Sequence, residues 1–291
     1  PNGISTSLPL DVQVDMLRSI PGLERVEIAV PGYAVEYDCI TPTQLVPSME
    51  TREVKGLYHA GQVNGTSGYE EAAGQGLLAA LNAHLAMAGE EPLAIGRDEA
   101  YIGVMADDLT TKGTDEPYRM FTSRAEYRLL LREGNAHKRL TPIGRKAGLV
   151  SDQQWHAYQD RVHREVEILE ALAQCKPEPD VTNEFLKKHG SSPISQKVSL
   201  RRLLSRPELS LYLLAPFLPE LLADLPPRLE EEVKTLTRFE GYLERERNLA
   251  DKMKRMEKKP IPEDFDYGTV GGLTTEAADK LERVRPTTLG Q

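Results

Sequence analysis

Apolar positions follow two regimes along the chain. Over residues 10–20 Val14, Leu17 and Ile20 fall on one helical stripe, and Pro21-Gly22 stops it. Residues 25–30 and 34–40 carry strand-like apolar runs around the turn Pro31-Gly32, and residues 56–60 form a short apolar run that predicts a buried strand. The period changes at residues 67–88, an alanine-rich stretch whose Leu77, Leu78, Leu81 and Leu85 predict the buried stripe of a long helix. Beyond Pro92 no strand series recurs. Helices are predicted over residues 120–131, 182–189, 199–205 and 207–215. A further one runs from the cap Ser151-Asp152 to about 174, with Trp155, Val162, Val166, Leu169 and Leu172 as its apolar stripe. A long charged helix is predicted from 228 to Lys258, with Gly241 as a point of bending or close packing, and a short one from Thr274 to Val284. The pattern therefore predicts an α/β part over 1–93, a helical part over 94–227 and a C-terminal helical subdomain over 228–291.

Composition narrows the class. The 291 residues suit about two domains at roughly 150 residues each. No apolar run approaches the roughly 20 residues of a membrane helix, and no signal-peptide pattern opens the chain, so a cytoplasmic setting is expected. Cys39 and Cys175 are too few for a disulfide framework or a zinc site, and both read as small core residues. Pro1 opens the chain without an initiation-like segment, so the sequence reads as a piece whose front lies elsewhere.

Charge is unevenly placed. Residues 1–100 hold 5 Lys/Arg and 14 Asp/Glu, which accounts for the whole net charge of −9. Within the balanced remainder, Arg119, Arg124, Arg128, Arg132, Lys138, Arg139, Arg145 and Lys146 crowd one stretch opposed only by Glu126 and Glu133. If residues 120–131 are helical, Arg124, Arg128 and Arg132 line one face. They could then meet phosphates while Tyr118, Phe121 or Tyr127 stack on a base, or they could form an ordinary solvated face with local pairs.

The segment with the sharpest chemistry is GLYHAGQVNGTSGYEEAAGQG, residues 56–76. A strand would run into Gly61, a polar glycine-rich loop would follow, and a helix would start near Gly68. Such a turn offers free N–H groups and the positive end of a helix to an anionic or oxygen-rich ligand. Gln62 adds an amide suited to hydroxyls or a heterocycle edge. No Lys-Ser/Thr follows the early glycine, which excludes a Walker loop, and no GxGxxG closes the first strand. The alternative is a plain strand–helix connection capped by Thr66 or Ser67.

These residues carry a resemblance. Gly61-Gln62, Asn64-Gly65-Thr66 and Gly68-Tyr69-Glu70-Glu71-Ala72-Ala73 are similar to the closing flavin segment of the tRNA uridine 5-carboxymethylaminomethyl modification enzymes, the glucose-inhibited division protein A family. So are the opening Pro1-Asn2-Gly3-Ile4-Ser5-Thr6-Ser7-Leu8-Pro9, the run from Pro117 to Arg128, and Glu240-Gly241-Tyr242. The resemblance covers the whole chain and corresponds to the family's C-terminal half. It implies a remnant of a two-dinucleotide-fold FAD-binding domain followed by an all-α region. The implied activity is flavin-dependent addition of a carboxymethylaminomethyl group to C5 of a wobble uridine in tRNA. FAD is the implied cofactor, NADH the reductant and methylene-tetrahydrofolate the carbon donor. The implied partners are tRNA, a GTPase and a second copy of the chain. Gly61, Gln62, Asn64, Gly65, Thr66, Gly68 and Tyr69 would contact FAD. Arg119, Arg124, Arg128, Arg132, Lys138 and Arg139 would contact RNA. The family's nucleophilic cysteines are expected upstream of Pro1. Two alternatives remain: a folate- and FAD-dependent tRNA uridine methyltransferase, and a helical tRNA- or partner-binding module without catalysis.

Overall fold

A computed structural model describes residues 4 and 6–290 other than 223, 258, 263 and 287. The start of the opening motif (Pro1-Asn2-Gly3, and Ser5) and the expected helix end at Lys258 lie outside these residues. Along the chain come α1 (Leu10–Arg18), α2 (Tyr69–Met87), α3 (Tyr101–Asp107), α4 (Ala136–Lys146), α5 (Asp152–Gln174) and α6 (Pro179–Lys188). Then follow α7 (Leu200–Leu204), α8 (Leu211–Leu214), α9 (Pro219–Leu222), α10 (Pro227–Arg238), α11 (Glu240–Glu257) and α12 (Thr275–Val284).

The expected strands do not form among the described residues. Only isolated bridges occur in this part, such as Glu50 with Tyr58 and Thr66 with Tyr118. A strand is stable only in a ladder, and residues 30–37 find none. Val30, Tyr33, Val35 and Tyr37 are consequently exposed, and residue 40 is pinned by its N–H to the Val63 carbonyl at 2.9 Å. The α/β expectation is thus corrected to extended segments packed on helices.

α2 buries Leu78 and Leu85 of the predicted stripe, leaves Leu81 half-buried, and adds polar positions to its inner line. Glu71, Gln75, Leu78, Asn82 and Leu85 face inward, whereas Leu77 is exposed. Asn82 holds the chain after the helix, donating to Leu93 O at 3.0 Å and accepting from Leu93 N at 2.7 Å. Leu78 and Ala79 pack with Leu45, Met49 and Ala106 into a small core.

The helix predicted over 120–131 is absent. Residues 114–135 form an irregular loop with 3₁₀ turns at Thr122–Arg124 and Glu133–Asn135. Burial at Ala125, Tyr127 and Leu131 follows this loop's own path around Val104 rather than a helical period. The α5 start is as the sequence predicts: Ser151 and Gln154 form a reciprocal capping box. Its buried line is Glu165, Ile168 and Leu172, and Val166 is exposed.

A leucine-rich core fills the second half. Ile168 and Leu172 of α5, Leu186 of α6, Leu200, Leu203 and Leu204 of α7 and Leu229 and Val233 of α10 meet there. α10 therefore shares the core of the preceding helices. The predicted long charged helix breaks at Phe239, between α10 and α11. Gly241 stands in open space, so no backbone packs over it and the adjacent bend is its only structural companion. α11 folds back toward the first half: Glu246 accepts the Leu130 N–H at 3.1 Å, Ala250 enters the Val104 cluster, and Lys254 pairs with Asp98 at 2.8 Å.

Candidate functional site

The glycine-rich loop is a 3₁₀ turn, Gly61–Asn64, leading into α2. Gly61 and Gly65 adopt φ +78° and +74°, a region that glycine enters without strain. Gln75, fully buried in α2, holds the turn from beneath. Its Oε1 accepts the Gly61 N–H at 2.8 Å and an Asn64 Nδ2–H at 3.3 Å, and its Nε2 donates to Thr66 Oγ1 at 3.0 Å. Thr66 Oγ1 donates in turn to Gly61 O at 3.0 Å. Thr66 therefore closes the loop and does not cap α2, whose N-cap is Gly68 without a side-chain bond. Asn64 and Thr66 are buried, so their side chains shape the loop and do not face solvent. Gln62 and Tyr69 are exposed.

Gly68 stays free of a side chain for a steric reason. A β-carbon there would overlap the Glu71 carboxylate and stand 3.0 Å from Arg119 Cζ. Glu71 folds back over the helix start, accepts the Met120 N–H at 2.8 Å and pairs with Arg119 Nε at 3.4 Å. Burial raises its pKa, but the Met120 and Glu71 N–H groups and the Arg119 charge outweigh that, and the carboxyl stays below its ordinary range.

Beside the loop lies a cavity of about 400 Å³. Gln62, Gly65, Thr66 and Ser67 form one wall, Val35, Tyr37 and Cys39 another, and Thr114–Pro117 a third. Cys39 is exposed on this cavity, which corrects its assignment to the core; the unpaired extended segment leaves it uncovered. Cys175 is partly buried against the leucine core. Toward a dinucleotide cofactor the cavity offers the exposed Gln62 carboxamide and the Val35–Tyr37 wall, whereas the Gly61, Gly65 and Thr66 N–H groups are bonded within the loop, Glu71 covers the α2 start, and Asp115 and Glu116 make the third wall acidic, which corrects the expectation of free N–H groups at a helix end. Cofactor sites span roughly 300–1,000 Å³, so the cavity accommodates part of FAD rather than all of it.

The basic residues divide into two groups. Arg119 is half exposed and Arg128 exposed. The Arg124 guanidinium stacks 4.4 Å over the Tyr118 ring and donates to Arg119 O at 2.8 Å. Arg132, Lys138 and Arg139 instead serve the fold. Arg132 binds Glu232 at 3.1 and 3.2 Å, Lys138 pairs with the buried Glu165, and Arg139 donates to Glu99 O, Asn135 Oδ1 and Arg132 O. Burial and the neighbouring Arg132 charge lower the Arg139 pKa. Arg124, Arg128 and Arg132 share no helical face, because no helix forms there.

One network joins the two regions, and the sequence reading missed it. Tyr118 N–H donates to Gly65 O at 2.8 Å, and its hydroxyl donates to Asp108 at 3.0 Å. Asp108 also binds Lys112 at 2.7 Å and Arg97 at 2.8 Å. Arg97 continues to Asp107 at 2.8 Å, Glu126 at 2.6 Å and the Arg124 carbonyl at 3.2 Å. Burial raises the Asp108 pKa, yet its Lys112 and Arg97 partners hold the carboxyl below the ordinary range. Burial and the Asp108 charge raise the Tyr118 pKa. The only signal for this network in the sequence is the Asp107-Asp108 pair following an apolar helix.

Among the described residues no cluster of His, Cys, Asp and Glu could hold a metal ion, and no helix is long and apolar enough to cross a membrane.

Three family descriptions match the chain. "Glucose inhibited division protein A" matches residues 1–91, "tRNA modifying enzyme MnmG/GidA C-terminal helical domain" residues 152–247, and "tRNA modifying enzyme MnmG/GidA C-terminal helical bundle" residues 249–291. The tRNA uridine 5-carboxymethylaminomethyl modification enzyme MnmG of Syntrophotalea carbinolica is 49% identical over 291 residues, which are 100% of this chain and 47% of that protein. Its Geobacter sulfurreducens counterpart is 49% identical over 292 residues, with 46% of that protein covered. The form II crystal structure of Aquifex aeolicus GidA superposes with a TM-score of 0.73 at 43% identity, covering 100% of this chain and 46% of that one. The chain thus spans about half the length of the curated relatives it matches, and it belongs to the MnmG/GidA family.

Proposed function

We propose that this chain supplies the flavin-closing loop and the RNA-contacting surface of an enzyme that adds a carboxymethylaminomethyl group to C5 of a tRNA wobble uridine. The observation that carries the reading is the shared frame of two sites. The loop Gly61–Thr66 and the arginine loop 119–128 are tied through Gly65 to Tyr118 and through Glu71 to Met120. A cofactor in the first site would thereby lie close to RNA held by the second.

In this reading the Gly65–Ser67 backbone and the exposed Gln62 and Tyr69 side chains meet FAD, while Gly61, Asn64 and Thr66 keep the loop in shape and Gly68 leaves room for the Glu71 carboxylate. Bound flavin would carry electrons between NADH and the one-carbon unit of methylene-tetrahydrofolate. Gln62 would orient a ring or hydroxyl edge through its carboxamide, and the apolar Tyr37 wall would exclude water. Arg119, Arg124 and Arg128 would neutralise tRNA phosphates, with Arg132, Lys138 and Arg139 supporting the loop from behind. Of the division at 1–93, 94–227 and 228–291, the first enters as the flavin part and the second, with α10 packed into its core, as the RNA part, while the rest of 228–291 from α11 onward is the docking part for a GTPase partner. Assembly as a homodimer in the cytoplasm completes the proposal.

The test is flavin retention and tRNA affinity in one preparation. Gln62→Ala is expected to lower flavin affinity while leaving the unfolding midpoint unchanged, because Gln62 is exposed. Replacing Arg124 and Arg128 by Gln is expected to lower tRNA affinity without flavin loss. A protein that binds tRNA and never takes up flavin would point to a helical RNA-binding module.

A further inference from the structure

Of the arginines assigned to RNA, Arg124 is held at three points. Arg97 Nη2 donates to its carbonyl oxygen at 3.2 Å. Its own Nε donates to Arg119 O at 2.8 Å. Its guanidinium carbon lies 4.4 Å from the centroid of the Tyr118 ring. No carboxylate pairs with it among the described residues, and its Nη1 and Nη2 stay uncommitted there. A guanidinium stacked by its face keeps its donor edge, through which arginine takes a phosphate by two N–H groups. Arg128 is exposed and stacks on no ring among the described residues.

The Tyr118 ring is itself fixed. Tyr118 is 1% exposed and packs with Met105 and Leu109. Its N–H donates to Gly65 O at 2.8 Å and its hydroxyl to Asp108 Oδ2 at 3.0 Å. Arg97 and Lys112 in turn grip Asp108. Burial and the Asp108 charge raise the Tyr118 pKa, so the phenol keeps its proton and remains the donor. A ring so deeply buried reaches no base, which removes Tyr118 from the candidates for base stacking.

We propose that Tyr118 is a positioning residue for tRNA binding: its ring holds Arg124 stacked, so that the arginine meets a backbone phosphate already ordered. The inference rests on the reading that Arg124 contacts tRNA, and it names the residue that prepares this contact. The attraction joins a cation to the negative face of an aromatic ring, so it follows the electron density of that ring as well as its shape. An arginine without such support must be immobilised on binding, which costs about 2- to 12-fold in affinity.

The experiment measures the dissociation constant of unmodified tRNA for the purified full chain at fixed salt. It compares wild type, Tyr118→Phe, Tyr118→Leu, and chains with mono-, di- or trifluorophenylalanine introduced at position 118. Fluorine drains negative potential from the ring face and changes its shape little. Tyr118→Phe should bind tRNA as tightly as wild type, although it loses the bond to Asp108. Each added fluorine should weaken binding relative to Tyr118→Phe, toward the loss of about 2- to 12-fold expected for Tyr118→Leu. In an Arg124→Gln background neither fluorination nor Tyr118→Leu should weaken binding further, because the two residues act as one unit. The fluorinated chains keep the ring volume, so they decide the matter if Tyr118→Leu does not fold. A flat fluorine series, or one equally steep in the Arg124→Gln background, overturns the positioning role. If Arg124→Gln/Arg128→Gln still abolishes tRNA binding in that case, the tRNA reading stands without it. A wild-type chain that binds no tRNA overturns both.

Discussion

Gln75 and Gly61 lie fourteen residues apart, yet the carboxamide of the first accepts the N–H of the second at 2.8 Å. The same side chain also reaches Asn64 and Thr66, so one buried glutamine holds the whole turn. Replacing it by Leu removes its hydrogen bonds to Gly61, Asn64 and Thr66 and leaves the buried Gly61 N–H unsatisfied. An unsatisfied buried donor costs about 1–3 kcal/mol, so Gln75→Leu should lower stability by at least that much. Urea denaturation checks it; a midpoint within error of wild type would show that the turn holds itself.

Gly68→Ala should act through Glu71. The added methyl would overlap the carboxylate, which must swing away and release the Met120 N–H. The expected loss is about 1–3 kcal/mol, with the arginine loop becoming more susceptible to proteolysis after Arg119 or Arg124. Limited trypsin digestion of wild type and variant reads this directly. Identical cleavage rates would mean that Glu71 is not what orders the loop.

Arg128 and Arg132 should part company on mutation. Arg128 is exposed, so Arg128→Ala should change stability by less than about 0.5 kcal/mol. Arg132→Ala strips the buried Glu232 of its closer partner, leaving only Lys138 at 3.6 Å. Breaking a buried pair from one side costs about 3–5 kcal/mol, and the retained lysine places this case at or below the lower end. Thermal unfolding of the two variants checks the contrast; equal midpoints would refute it.

Asp108 should impose an acid limb on stability. Its carboxyl is held below the ordinary range in the folded state, so the folded state binds its proton more weakly than the unfolded chain does. The stabilisation is fully present above the unfolded pKa of about 3.9 and is lost as pH falls through the lower folded value. Asp108→Asn should therefore destabilise the protein most at neutral pH, with the gap to wild type narrowing below about pH 4. A gap that is constant from pH 7 to pH 3 would exclude Asp108 as the source.

Much of the helical half was legible because its signals are local. The Ser151 and Thr274 caps stand where the sequence puts them, Ser151 accepting from the Gln154 N–H and Thr274 from the Ala277 N–H. The misreadings share a different cause. In α2 three of the seven buried positions are polar, since Glu71, Gln75 and Asn82 each serve a backbone group outside the helix. A hydrophobic stripe drawn through leucines cannot register such partners. Residues 120–131 carry helix-forming residues, but Arg97, Asp108 and Glu71 bind the backbone and side chains of an irregular path there. Tertiary hydrogen bonds override propensity at that point. The strands predicted over 25–30 and 34–40 rest on short apolar runs around Pro31-Gly32, and such runs do not supply a neighbour to pair with. Of the proposed site, the glycine loop was visible in the spacing, whereas Gln75 and the Tyr118–Asp108–Arg97 chain depend on contacts far apart in sequence.

The return of α11 has a consequence for synthesis on the ribosome. Glu246 seals the Leu130 N–H, and Ala250 fills the cluster around Val104, Ala125, Tyr127 and Leu131. The first of these pairs is separated by 116 residues. At translation rates of about 5–20 residues per second, the nascent loop waits on the order of ten seconds for its cover. During that interval its apolar side chains stand bare. Pauses or truncations between α10 and α11 would prolong the exposure and favour capture by chaperones or by neighbouring nascent chains.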